Sequence, residues 1–175
     1  MVAEKFLHLK HLNICLGDED DEDIIPTYDY LSLASFLNAS PVLESFILTV
    51  DEFDMKHDFV FAHMRQITEH KHDKLKKVQI NGFCSAKSMV ELTYHILENA
   101  TSLESLTLDT IFGWEADCNK VRCSGRKTGK CRPKGRNMVL EAHKAFSVIK
   151  RYILERVPST VKLNVGEPCS RCHAI

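Results

Sequence analysis

Side chains whose type and spacing could do chemistry concentrate in the second half of the chain. Cys118, Cys123 and Cys131 follow one another at x4 and x7 spacing, and Cys169, Cys172 and His173 form a CxxCH group near the end. Thiolates and an imidazole in sets of four are what a structural zinc ion needs. The first three cysteines are not spaced as a zinc knuckle, and a CxxC pair alone is common. Reduced thiols are therefore the preferred reading. Zinc held by Cys118, Cys123, Cys131, Cys169, Cys172 and His173 is the alternative, and no other cofactor is expected. His57, His63, His70 and His72 form a second cluster along the chain. Their intervals match no ligand signature. The stretch reads as a solvated connection in which residues 60–67 pack down as a short extra turn.

A second chemistry is electrostatic. Lys120, Arg122, Arg126, Lys127, Lys130, Arg132, Lys134 and Arg136 crowd one segment, dense enough to contact phosphates or to serve as a nuclear localisation signal. No aromatic residue is interleaved to stack on bases. A solvated loop is preferred, and nucleic-acid or phosphate binding through residues 120–136 is the alternative. The acidic run Gly17–Asp23 reads as a solvated loop too. No nucleophile elbow, phosphate-binding glycine loop, HExxH or dinucleotide fingerprint is present. No catalytic residue is assigned, and an enzyme is not expected.

Composition narrows the class. The 175 residues suit one domain over 1–175, with 44% apolar and 27% charged residues. A formal net charge of −1 offers no global attraction to nucleic acid or acidic lipid. No apolar run approaches the ~18–20 residues of a membrane span, and the first residues lack the apolar core of a signal peptide. An odd count of seven cysteines without such a signal fits reduced thiols in the cytoplasm or nucleus. The sequons at Asn38 and Asn99 each fall at a helix end before a strand. Asparagine's tolerance of left-handed turns accounts for them without a sugar.

The elements that must carry these groups are repetitive. The pattern L-x-x-Φ-x-Φ (Φ apolar) occurs at Leu9, Leu12, Ile14; Leu43, Phe46, Leu48; Leu75, Val78, Ile80; and Leu103, Leu106, Leu108, with a weaker copy at Thr160, Leu163, Val165. The third and fourth copies lie 28 residues apart, a period that allows one strand and one helix per turn of a leucine-rich repeat. Alternation puts the last two apolar positions of each copy on one sheet face. Strands are expected over 6–16, 43–50, 75–81, 103–109 and 161–165, with Gly82 ending the third. Helices are expected over 28–39, 86–99 and 138–157. Met89, Leu92, Ile96, Leu97 and Ala100 form the apolar stripe of the second, and Val139, Ala142, Phe146, Ile149 and Ile153 that of the third. The fourth and fifth copies are 57 residues apart, an interval that falls to 30 without residues 111–137. Those residues are an insertion into an ordinary repeat, and 166–175 is a tail. The fold class is α/β: a leucine-rich-repeat solenoid of about five parallel strands with helices on the other side.

Register also assigns the outward face. His11, Asn13 and Cys15; Ser45, Ile47 and Thr49; Lys77, Gln79 and Asn81; Ser105, Thr107 and Asp109; and Lys162 and Asn164 alternate with the buried positions. Small polar side chains in a row across parallel strands suit the gripping of another protein. A solenoid needs a polar cap over its first apolar edge, and only Met1–Lys5 precede the first copy. A natural boundary farther upstream is therefore expected, and an exposed Leu9–Ile14 edge predicts marginal stability and a tendency to aggregate.

The phrases LKHLNI, YDYLSLASFLNASPVLESFIL, HDKLKKVQINGFCSAKSMVELTYHILENATSLESLTLDT and RYILERVPSTVKLNVGEPCSRCH resemble the C-terminal leucine-rich-repeat region of plant F-box/FBD/LRR-type proteins. The resemblance covers nearly the whole chain. It implies the substrate-recognition part of an SCF-type ubiquitin ligase, in which an F-box docks on a Skp1-like adaptor and the repeats choose the target. No F-box precedes residue 6, so adaptor docking and ligase activity do not carry over to these residues, and recognition of an unknown protein target does.

Overall fold

The computed structural model describes residues 5–17, 28–51, 63–67, 70–111 and 136–168. Each copy of the apolar pattern forms one strand: β1 (His11–Gly17), β2 (Ser45–Asp51), β3 (Lys77–Asn81), β4 (Ser105–Asp109) and β5 (Lys162–Gly166). They make one five-stranded sheet in the order β1-β2-β3-β4-β5, every neighbour parallel. The register has no slip. Leu12, Phe46, Val78, Leu106 and Leu163 lie side by side, as do Ile14, Leu48, Ile80, Leu108 and Val165. Because a one-residue slip would turn every apolar side chain outward, this alignment fixes which face is core.

Backbone hydrogen bonds repeat with the strands. Glu44 N donates to Lys10 O at 2.8 Å, Lys76 N to Glu44 O at 2.9 Å, Glu104 N to Lys76 O at 2.8 Å and Lys162 N to Glu104 O at 2.8 Å. The central strands bury their apolar pairs completely or nearly so, from Phe46 and Leu48 to Leu106 and Leu108. On the end strands, Leu12, Ile14, Leu163 and Val165 are only half-buried, since each has a neighbouring strand on one side alone.

The other layer differs from the simple periodic expectation at several ends. The first strand starts at His11, and residues 6–9 make a turn tied to the next repeat by Phe6 N donating to Ala39 O at 2.8 Å. The first helix is a 3-10 turn over Tyr30–Leu33 followed by α1 (Ala34–Ala39). The second helix, α2 (Lys87–Asn99), matches its expected stripe: Met89, Leu92 and Ile96 are fully buried, Leu97 half so. The third is not continuous. Regular α3 (Arg136–Val148) passes into a wide π turn over Ile149–Ile153 and a 3-10 turn over Leu154–Arg156. The wider turn lets Val148, Ile149 and Ile153 all face the core. Ala145 occupies the buried position expected for Phe146, whose half-buried ring lies under the Lys150 ammonium, 4.3 Å from its centroid.

Residues 63–67 form no helical turn; Met64 and Ile67 rest on the core, Lys87 Nζ donates to His63 O at 2.7 Å, and Arg65 ties the segment to α2. The fully buried carboxylate of Glu91, in the middle of α2, accepts from Arg65 N at 2.8 Å, Nε at 2.9 Å and Nη2 at 2.6 Å. The same guanidinium donates to Asp29 at 2.8 and 2.7 Å. Those bonds, Asp29's first, hold the guanidinium above its ordinary pKa, and hydrogen bonding to Arg65 holds the Asp29 carboxyl below its own. One arginine thus joins the start of the first helical layer, the segment 63–67 and α2.

Two consequences are measurable. Gly82 has φ +76°, and a Cβ there would overlap the Val50 carbonyl oxygen. Gly82→Ala should lower unfolding free energy by about 2 kcal/mol or more in urea denaturation. Arg65→Ala strands the buried Glu91 carboxylate, with Lys87 Nζ 3.8 Å away as its remaining cation. It should cost roughly 2–3 kcal/mol, below the full uncompensated value because Arg65 is half exposed. A loss under about 0.5 kcal/mol would place Arg65 among ordinary surface pairs.

Candidate functional site on the outward sheet face

Zero-shift pairing lays the outward side chains in rows across the strands. The first row is His11, Ser45, Lys77, Ser105, Lys162; the second is Asn13, Ile47, Gln79, Thr107, Asn164; the third is Cys15, Thr49, Asn81, Asp109, Gly166. In the first, His11, Lys77 and Lys162 are exposed, and the serines are half-buried between them. In the second, Asn13 and Gln79 are exposed, and Ile47, Thr107 and Asn164 are half-buried. The register expected for these two rows is the one observed.

The third row differs from the expected exposure. Cys15 is exposed, but Thr49, Asn81 and Asp109 are buried. Their polar atoms serve the fold: Asn81 Nδ2 donates to Thr49 Oγ1 at 3.2 Å, Gln79 Nε2 to Asn81 Oδ1 at 2.8 Å, and Ile111 N to Asp109 Oδ1 at 3.1 Å. Gly166 completes the row because a Cβ there would meet the Asp109 carboxylate. Buried polar groups must be bonded, and here the neighbouring strand supplies the partners. These three residues brace the strand ends. Beside this corner a cavity of about 460 Å³ is lined by Asp109, Ile111 and Leu163–Glu167.

The rim one position ahead of the first row alternates in charge: Lys10, Glu44, Lys76, Glu104. Lys10 Nζ lies 3.0 Å from Glu44 Oε1. Its hydrogen bond, with weaker help from Lys76 and His11, holds the Glu44 carboxyl below the usual range. This rim compensates itself. Lys77 and Lys162 behind it make no ion pair among the described residues.

Of the other candidates, Cys118, Cys123, Cys131, Cys169, Cys172 and His173 lie outside the described residues, as do the acidic run after Gly17, His57 and all of the basic segment but Arg136. Among the described residues, no three His, Cys, Asp or Glu side chains are arranged to hold a metal ion, and no helix is long and apolar enough to cross a membrane.

Sequence reasoning missed a buried imidazole pair. His72 and His95 are both nearly inaccessible, with Nε2 atoms 3.3 Å apart. Asn99 Nδ2 donates to His95 O at 2.9 Å and lies 3.4 Å from His95 Nδ1. With Nδ1 accepting, His95 carries its proton on Nε2 and donates it to His72. Asn99 O accepts from His72 N at 2.9 Å. Asn99 is not in the left-handed conformation, which His63 alone adopts among the described non-glycine residues. Its place at the helix end follows from this network, not from turn geometry. The signal available in the sequence was position: His95 and Asn99 are four apart on α2, one turn, beside the stripe.

The family of the chain is decided by its length-wide match. A family model described as the leucine-rich-repeat domain of At1g61320/AtMIF1 matches residues 1–170. The chain belongs to this leucine-rich-repeat family. Domains of this kind typically act as non-enzymatic protein-interaction modules. No curated protein and no solved structure matches the chain.

The imidazole pair makes this leucine-rich-repeat domain sensitive to acid. Burial first, then the neighbouring His95 and His70, push His72 down to about 4 from 6.5, against the pull of Asp73; burial and His70 also lower His95. Between these values the unfolded chain binds more protons than the folded one, so stability falls as pH drops from 6.5 towards 4. Urea titrations at both ends of that window should show His72→Phe losing less stability than the wild type, by on the order of 2 kcal/mol. Equal losses in the two proteins would assign the acid sensitivity to other groups.

Proposed function

We propose that the first two rows of the outward sheet face bind a protein target, and that the chain is the target-recognition part of an F-box-type receptor of an SCF ubiquitin ligase. The observation that carries the first statement is the pair of adjacent accessible rows. Two lysine cations in them are free of ion pairs among the described residues, and the amide and hydroxyl groups stand on rigid strands. Polar groups fixed in advance lose little entropy when a partner docks. Support for the second is the resemblance of the repeat phrases to F-box/FBD/LRR-type proteins. In that role the repeats choose the target, and contact with a Skp1-like adaptor requires an F-box upstream of them. Such work would take place in the cytoplasm or nucleus, with reduced cysteines.

The test is affinity capture from plant extract with the full chain as bait, next to a variant carrying Lys77→Ala, Gln79→Ala and Thr107→Ala. The wild type should retain a reproducible protein set, and the variant should lose it by roughly tenfold while still unfolding cooperatively, its urea midpoint lowered by the lost Gln79–Asn81 bond. Capture that survives the triple substitution overturns the assignment of this face. A target set without adaptor and cullin is the expected result; their retention would mean that residues of this chain itself dock on the adaptor.

A further inference from the structure

Charge on this face follows strand parity. Odd strands present cations or an imidazole in the first row, at His11, Lys77 and Lys162, and even strands present hydroxyls, at Ser45 and Ser105. Neighbouring strands are about 4.8 Å apart, so groups on alternate strands repeat every ~9.6 Å. A polyproline II segment turns once in three residues and advances ~9.3 Å, returning a side chain to the same side at that interval. A β-strand returns every ~6.7 Å, out of step with the row.

Three further features agree. The inner strands have both backbone edges paired, so a ligand lying across them is recognised by side chains and not by strand addition. A polyproline II chain makes no internal hydrogen bonds, so its carbonyls can accept from the second row, where Asn13 is exposed and Gln79 keeps a second amide hydrogen beyond the one given to Asn81. Neither row contains an arginine fork for phosphate or a Phe, Tyr or Trp platform for bases. The two nearby acids sit on the rim, Glu44 bonded to Lys10 and Glu104 beside Lys76, which leaves Lys77 and Lys162 as the cations in excess.

We infer that the target segment is an acidic peptide in the polyproline II conformation, with carboxylates at every third residue seated over His11, Lys77 and Lys162. This deepens the protein-binding reading and rests on it. The peptide crosses the strands from β1 to β5, its carboxylates alternating over cation-bearing strands and its intervening residues over Ser45 and Ser105.

The experiment is fluorescence anisotropy with the full chain and synthetic probes. One probe repeats Glu-Pro-Pro, an isomer of identical composition has its glutamates in one block, and a third repeats Lys-Pro-Pro. The periodic acidic probe should bind roughly tenfold more tightly than its block isomer, weaken steeply with salt, and weaken again in Lys77→Glu and Lys162→Glu. The lysine probe should not bind. Equal affinity for the acidic isomers overturns the periodicity. Tighter binding of a phosphoserine-containing probe or of a single-stranded oligonucleotide overturns the choice of carboxylate. If none of the acidic probes binds while captured proteins are still lost in the triple variant, the inference fails and the protein-binding reading stands. If the triple variant also keeps its captured proteins, both fall together.

Discussion

Everything in this molecule depends on the side-by-side stacking of Leu12, Phe46, Val78, Leu106 and Leu163, and of Ile14, Leu48, Ile80, Leu108 and Val165. Apolar side chains at period two on parallel strands can reach one core only when the register has no slip. Once that holds, the backbone bond from Lys10 to Glu44 must recur at Lys76, Glu104 and Lys162. The outward residues then fall into straight rows without any further instruction. An outward face of this kind is a by-product of core packing, and its chemistry can vary freely because the core does not read it.

The connections are less free. Between β2 and β3, two polar assemblies built on buried groups of α2 hold what the structure describes of the connection: Arg65 on Glu91 and Asp29, and His72 on His95 and Asn99. Both attach to α2, the most fully buried helix. Such networks are costly if any member is lost, because the group left behind is desolvated without a partner. They also fix the geometry in a way that apolar contacts do not, since hydrogen bonds demand particular distances and directions. The opposite side of α2 gains from α3 and the turns after it: Glu141 Oε1 accepts from Ser85 N at 2.7 Å, and the Arg156 guanidinium covers the Tyr94 ring at 4.0 Å while bonding Glu98 at 3.3 Å. Burial raises the Tyr94 hydroxyl above its usual value, and its proton goes to Tyr152 O at 3.0 Å.

The outward face divides along the strands. Near the strand ends it is closed, because Thr49, Asn81 and Asp109 bond among neighbours and to the following loop. Near the strand starts it is open, and there stand Lys77 and Lys162, which form no ion pair among the described residues. A partner would meet a narrow band two rows deep, with a self-neutralised rim ahead and a braced ledge behind. That geometry suits an extended segment laid across the strands better than a globular surface pressed on the whole sheet.

How much of this was legible depended on whether a feature was periodic. The strand positions, the zero-shift register, the identity of the core face and the stripe of α2 follow from apolar spacing alone, because burial is nearly additive along a repeat and leaves a mark at every turn. The outward rows follow from the same spacing. Three things did not. Thr49, Asn81 and Asp109 look like their accessible neighbours in the sequence, and only the folded chain shows that they are buried. Glu91 and His95 interrupt the apolar run of α2 and His72 lies in a polar stretch, and the partners of Glu91 and His95 lie 26 and 23 residues away, where no local pattern can point. The break of the third helix into a π turn answers a demand from the sheet beneath, which needs Val148, Ile149 and Ile153 on one side at once. The sequence by itself determined the repeat, its face and its register, since each is written locally and many times. Only the tertiary structure decided which polar groups were turned inward, since that choice is made once, by contact between distant parts of the chain.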